Sequence, residues 1–74
     1  MKHLLFGAAK DCRQYAHEHG WELDDYKIVK NERDFYGYDD VELHYIGGPY
    51  TVNEYEAYHE ARRYFISKGV IKDD

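Results

Sequence analysis

HLLFGAAKDCRQYAHEHGW, residues 3–21, carries the signals from which the fold of this chain follows. It begins with a short apolar run, His3 to Phe6, too brief for a core helix and stopped by Gly7, which reads as a β-strand. The period then changes. From Ala8 to His19, Ala9, Cys12 and Ala16 recur at helical spacing with Tyr15 beside them, while Lys10, Asp11, Arg13, Gln14 and Glu18 occupy the other side. Gly20 is a natural stop, because glycine takes the left-handed C-terminal cap without a steric cost, and Trp21 is expected to fold back onto the helix.

Working outward, Tyr26 to Val29 reads as a second strand, and Asn31 can cap a single helical turn through Glu32, Arg33, Asp34 and Phe35 before Gly37. The third strand is Val41 to Ile46. There Val41, Leu43 and Tyr45 alternate with Glu42, His44 and Ile46, so one face should be buried and the other partly wet. Thr51 and Glu54 have the spacing of a reciprocal capping box, opening a helix of about 17 residues that ends at Lys68 with Gly69 as its cap. Its apolar stripe is Tyr55, Tyr58, Ala61 and Phe65, flanked by Ala57 and Tyr64; Val70 and Ile71 add a short strand or a hydrophobic clasp.

Strand, helix, strand, short helix, strand, helix implies parallel pairing with right-handed crossovers. The expected fold is therefore α/β: residues 1–74 as one small domain, a three-stranded parallel sheet in order 2-1-3 with two main helices and one short helix, in two or three layers. In that order the loops at the carboxyl ends of the strands converge: Gly7-Ala8, Lys30-Asn31-Glu32 and Gly47-Gly48-Pro49-Tyr50. A crevice lined by Gly7, Ala8, Asn31, Gly47 and Gly48 is where a nucleotide or other small ligand would sit. A phosphate cradle needs several glycines or a G-K-[ST] step, however, and FGAAKD offers one glycine with Asp11 in the first helical turn, where its charge would repel an anion. Gly7 thus reads as a tight turn, and the Gly47-Gly48-Pro49 run as the bend between strand and helix.

Composition narrows the chemistry. A 74-residue chain makes one small domain whose core supplies only about 3–5 kcal/mol. The single cysteine, Cys12, cannot form an internal disulfide, and with His17 and His19 it matches no standard zinc spacing. His17 and His19 lie about 200° apart around the helix, and His44 and His59 lack an obvious partner in sequence, so neither a metal nor a cofactor is expected. Cys12 falls in the apolar stripe, where a thiol behaves as a small hydrophobe with a raised pKa. Ser67, the one serine, has no neighbouring histidine and acid, which argues against a hydrolase triad and leaves no catalytic set.

Fifteen acidic against ten basic residues give a net charge of −5, which disfavours nucleic acid as a partner. The pairs Asp24-Asp25, Asp39-Asp40 and Asp73-Asp74 read as a solvated surface. Met1 to Gly7 is too short for a signal peptide or membrane span, so a cytoplasmic protein without membrane attachment is expected. The unusual feature is nine tyrosines, too many phenol hydroxyls for so small a dry core. Several must reach the surface, and tyrosine is enriched at protein interfaces.

The run HLLFGAAKDCRQYAHEHGWELDDYKIVKNERDFYGYDDVELHYIGG, with the helix after it, resembles small α/β proteins of bacteriophages, especially those of actinobacteria. The shared pattern is an apolar strand ending in a small residue, a helix closing near YAHEHG, the aromatic-led strand YKIV, a one-turn helix and a third strand ending in glycine. That family is largely without assigned function, so the resemblance implies no active residues. The topology also resembles the first half of a receiver domain, but the paired acids after strand one and the aspartate after strand three are missing. The expectation is a non-enzymatic interaction protein, a phage accessory factor that binds a host or phage protein or a second copy of itself. Tyr36, Tyr38, Tyr50 and Tyr55 are the candidate anchors, and a minimal nucleotide- or ligand-binding domain is the alternative.

Overall fold

Leu4, Leu5 and Phe6 are all fully buried although they are consecutive, which a strand achieves only when both its faces are covered. The computed structural model, which describes residues 1–72, makes their strand β1 (Lys2–Gly7) the centre of the sheet. The Asp73-Asp74 pair lies outside the described residues. β2 (Tyr26–Val29) and β3 (Val41–Gly47) pair with β1 in parallel on either side, in order β2-β1-β3. Helix α1 (Ala9–Glu18) joins β1 to β2, a 3-10 turn at Glu32–Asp34 lies between β2 and β3, and helix α2 (Val52–Ser67) follows β3.

The strand order forces three layers. The chain moves one way across the sheet from β1 to β2 and the other way from β2 to β3, so two right-handed crossovers must use opposite faces. On one face Leu5 packs with Cys12 and Ala16 of α1, with Tyr15, Trp21, Ile28 and Ile46 around them. On the other, Leu4, Phe6, Val29 and Val41 meet Phe35 after the 3-10 turn and Ala57, Ala61 and Phe65 of α2.

Both main helices end as the glycines dictate. Gly20 (φ 70°) donates its N–H to the His17 carbonyl and Trp21 donates to the Ala16 carbonyl. Gly69 (φ 76°) and Val70 repeat the pattern on the carbonyls of Ile66 and Phe65. In this paired motif the residue after the glycine turns back onto the helix. Trp21 and Val70 therefore close the two cores, and Val70 with Ile71 forms the hydrophobic clasp rather than a strand.

Three local expectations are corrected. Thr51 makes no capping box with Glu54: its hydroxyl donates to the Gly48 carbonyl at 2.8 Å, because the bend places that carbonyl within reach first. The reciprocal box forms instead at Asn31, whose side chain accepts from the Arg33 N–H while Asp34 accepts from the Asn31 N–H. The stripe of α2 is centred on Ala57, Ala61 and Phe65, since the small alanines allow the helix close to the sheet and leave Tyr55, Tyr58 and Tyr64 at its margins. Tyr45, expected on the buried face of β3, is 44% exposed, because β3 is an edge strand and the first turn of α2 covers its end only partly.

Candidate functional site

The carboxyl ends of β1 and β3 meet so closely that little room is left between them. A Cβ on Gly7 would lie 2.5 Å from the Gly47 carbonyl oxygen and 2.7 Å from the Gly47 nitrogen. The Ala8 N–H donates to that same carbonyl at 3.0 Å. Gly7 thus serves a close backbone approach. Next to it, a Cβ on Gly48 would lie 2.7 Å from an Asp11 carboxylate oxygen and 3.1 Å from the Ala8 Cβ. Asp11 occupies the amino end of α1 where a phosphate would have to bind, and it carries the wrong charge for that ligand. Asn31 is spent on its cap. It borders a broad groove of about 580 Å³ between the 3-10 turn and α2, where Lys30 and Arg33 face Glu56 and Glu60. Gly7, Ala8, Gly47 and Gly48 do not line that groove.

The four candidate tyrosines do not form one cluster. Tyr36 packs on Phe35 and Tyr64 near the end of α2 and donates its hydroxyl to Glu32 at 3.2 Å. Tyr38 is half-buried against the α2-side core, with the Lys27 ammonium 5.9 Å from its ring centre. Tyr55 is in the first turn of α2, nine positions before Tyr64, a rise of about 13 Å along the axis. There it joins Tyr45 edge-to-face at 5.4 Å and His59 at 4.5 Å, and Tyr45 in turn meets Tyr58 at 5.5 Å. Tyr55 is 49% exposed, so it contributes to both packing and surface. Tyr50, in the bend just before it, is 100% exposed and has φ 61°. It is the sole non-glycine residue with positive φ among the described residues.

A second cluster, on the α1 face, was not visible as a unit in the sequence. His3 of β1 is in register with Glu42 of β3, and His44 is two residues further along the same face. His44 Nε2 lies 2.9 Å from the Glu42 Oε1 and 3.1 Å from His3 Nδ1. The third separation, His3 Nδ1 to Glu42 Oε1, is 3.8 Å. His44 therefore has partners after all. Its other nitrogen, Nδ1, is 3.3 Å from the Tyr15 hydroxyl, and Trp21 stacks flat on His3. Burial holds the His44 ring below the ordinary histidine range, with His3 and His19 acting in the same direction and Glu42 against it. That shift favours the neutral ring, and a neutral imidazole keeps a lone pair on one nitrogen. The E-x-H spacing of Glu42 and His44 on a strand was the available signal, since it puts both on one face. His3 joins them only through the register of β1 against β3.

Cys12 is fully buried under α1, and its thiol is pushed up to about 11, first by burial and then by Asp11 and Glu54. It is no nucleophile at neutral pH. Among the described residues no helix is long and apolar enough to cross a membrane. Comparison with protein-family models, curated proteins and solved structures finds no match.

Proposed function

We propose that the protein is a non-enzymatic binding module that docks on another protein through Tyr50 and the aromatic patch behind it. The observation that carries this reading is the conformation of Tyr50. A left-handed backbone costs a bulky L-residue about 1–2 kcal/mol, and a fully exposed ring recovers none of it by burial within the chain. Strain held at an exposed aromatic is the kind of cost that functional contacts explain. Val52, 70% exposed, and the half-exposed Tyr45 and Tyr55 extend the patch along the free edge of β3. A tyrosine presented in this way fits an apolar pocket in the partner. The chain's net charge of −5 favours a partner whose pocket is rimmed by lysine and arginine. The resemblance to phage proteins favours a host or phage protein of the bacterial cytoplasm as that partner.

The Asp11 carboxylate at the head of α1 supports this reading over the nucleotide-binding alternative. The test is capture from host lysate with four baits: the parent chain, Tyr50→Asn, Tyr55→Ser and Tyr36→Ser. A specific partner should be retained by the parent and by Tyr36→Ser, and weakened about tenfold or more by Tyr50→Asn, with salt slowing its association. Equal retention by all four baits would show that this patch is not the docking surface. Sedimentation equilibrium distinguishes a second copy of the chain from a foreign partner.

A further inference from the structure

We propose that His3, Glu42 and His44 form a binding site for a divalent transition-metal ion of the zinc class, with water completing the coordination. The ligand atoms are His3 Nδ1, His44 Nε2 and a Glu42 carboxylate oxygen, which all lie within 4.8 Å of one another. A tetrahedral zinc with bonds of about 2.0 Å has ligand-to-ligand edges of about 3.3 Å. The three observed separations, 2.9, 3.1 and 3.8 Å, bracket that edge. The triangle they form is already the base of the tetrahedron.

The backbone sets this arrangement. Parallel neighbours are about 4.8 Å apart, so the in-register pair His3 and Glu42 projects side by side, and His44 follows Glu42 by one strand repeat on the same face. Two of the three ligands are also fixed from behind. Tyr15 meets the far nitrogen of His44 at 3.3 Å, the place of the hydrogen-bond partner that orients ligating histidines, and Trp21 holds the His3 ring at 3.8 Å. The hydrogen-bonding account points the same way. Three atoms that can each offer a lone pair converge, and a hydrogen on one ring nitrogen cannot be directed squarely at both of the other two. A cation at the centre engages all three lone pairs.

The site is open enough to load. The His3 and His44 side chains are 18% and 15% exposed while that of Glu42 is 51% exposed, so the carboxylate faces the solvent path. Two imidazoles and one carboxylate select zinc, cobalt, nickel or copper over magnesium and calcium, which require oxygen ligands. The fourth position is left to water, as in open zinc sites. This site lies on the α1 face, apart from the tyrosine patch on the α2 side, and does not rest on the docking reading.

The test is titration of the full chain with cobalt(II). The expected result is saturable binding of one equivalent, with the visible absorption of low-coordinate cobalt, displaced by zinc but not by millimolar magnesium. His3→Gln and His44→Gln should each weaken binding by about tenfold or more, with no change for His17→Gln or His59→Gln. If either ligand variant fails to fold, the unmodified protein decides: cobalt must broaden the imidazole resonances of His3 and His44 selectively in NMR spectra. Absence of saturable binding, equal broadening at His17 and His59, or undiminished affinity in folded His3→Gln and His44→Gln would each overturn the proposal.

Discussion

The indole of Trp21 lies flat against the imidazole of His3, with ring centres 3.8 Å apart and planes inclined by 8°. The glycine-terminated end of α1 delivers it there: the N–H of Trp21 is tied to the Ala16 carbonyl, so its side chain returns over the amino end of β1. Tyr15 and His19 close around the same indole at 5.7 and 4.7 Å. One side chain thus joins the end of a helix to the start of the central strand.

Replacing that indole should cost stability. Trp21→Ala is expected to lower the unfolding free energy by about 2–3 kcal/mol, below the range for a fully buried aromatic because Trp21 is half-buried. Trp21→Phe should restore most of the loss. Urea unfolding followed by circular dichroism measures both, and Trp21, the only tryptophan, gives a fluorescence probe for the parent chain.

Two glycine substitutions should differ sharply although both place a methyl on a positive-φ backbone. Gly20 has nothing within 4 Å of a new Cβ, so Gly20→Ala should cost only the left-handed penalty of about 1 kcal/mol. At Gly7 the Cβ would meet the Gly47 backbone at 2.5 Å, which a central strand cannot yield. Gly7→Ala should therefore cost more than about 3 kcal/mol and leave the chain largely unfolded at 37 °C. Thermal melts of the two variants side by side check the contrast.

Alkaline pH should destabilise the fold through Cys12. Its thiol titrates near 9.0 when exposed and at about 11 in the folded chain, so below pH 9 both states hold the proton. Between pH 9 and 11 the unfolded state loses that proton while the folded state keeps it, and stability falls by about 2–3 kcal/mol. Every other ionisable group is common to Cys12→Ala, whose stability should fall less over the same range. The difference between the two curves isolates the thiol. At neutral pH, alkylation of Cys12 should proceed only as fast as the protein opens.

Tyr50→Asn should stabilise the isolated protein, contrary to the usual direction for losing an aromatic. Asparagine tolerates the left-handed region, and the fully exposed ring has no packing to lose. A gain of about 0.5–1 kcal/mol, read as a rise in Tm of about 2–8 °C, is expected. A fall in Tm would mean that the ring makes contacts in the free chain.

What the sequence determined was local and topological. The apolar run before Gly7, the stripe of Ala9, Cys12 and Ala16, and the stops at Gly20 and Gly69 were sufficient to place the elements. The 2-1-3 order followed because right-handed connections leave short parallel strands few alternatives. The outward position of Tyr50 also followed, since a loop between glycines and a helix has no core to enter. Tertiary structure decided what depends on register and on competition between neighbours. Thr51 faced two possible partners, and the bend that brings the Gly48 carbonyl to 2.8 Å chose between them. Tyr36 and Tyr55 share a residue type but lie near opposite ends of α2, Tyr36 against Tyr64 and Tyr55 against Tyr45. His3 and His44 are 41 residues apart in sequence, and their 3.1 Å contact exists only because β1 pairs with β3 in one register. A shift of one residue would turn the side chains of β3 to the opposite face and disperse the cluster, since successive side chains on a strand point to opposite sides.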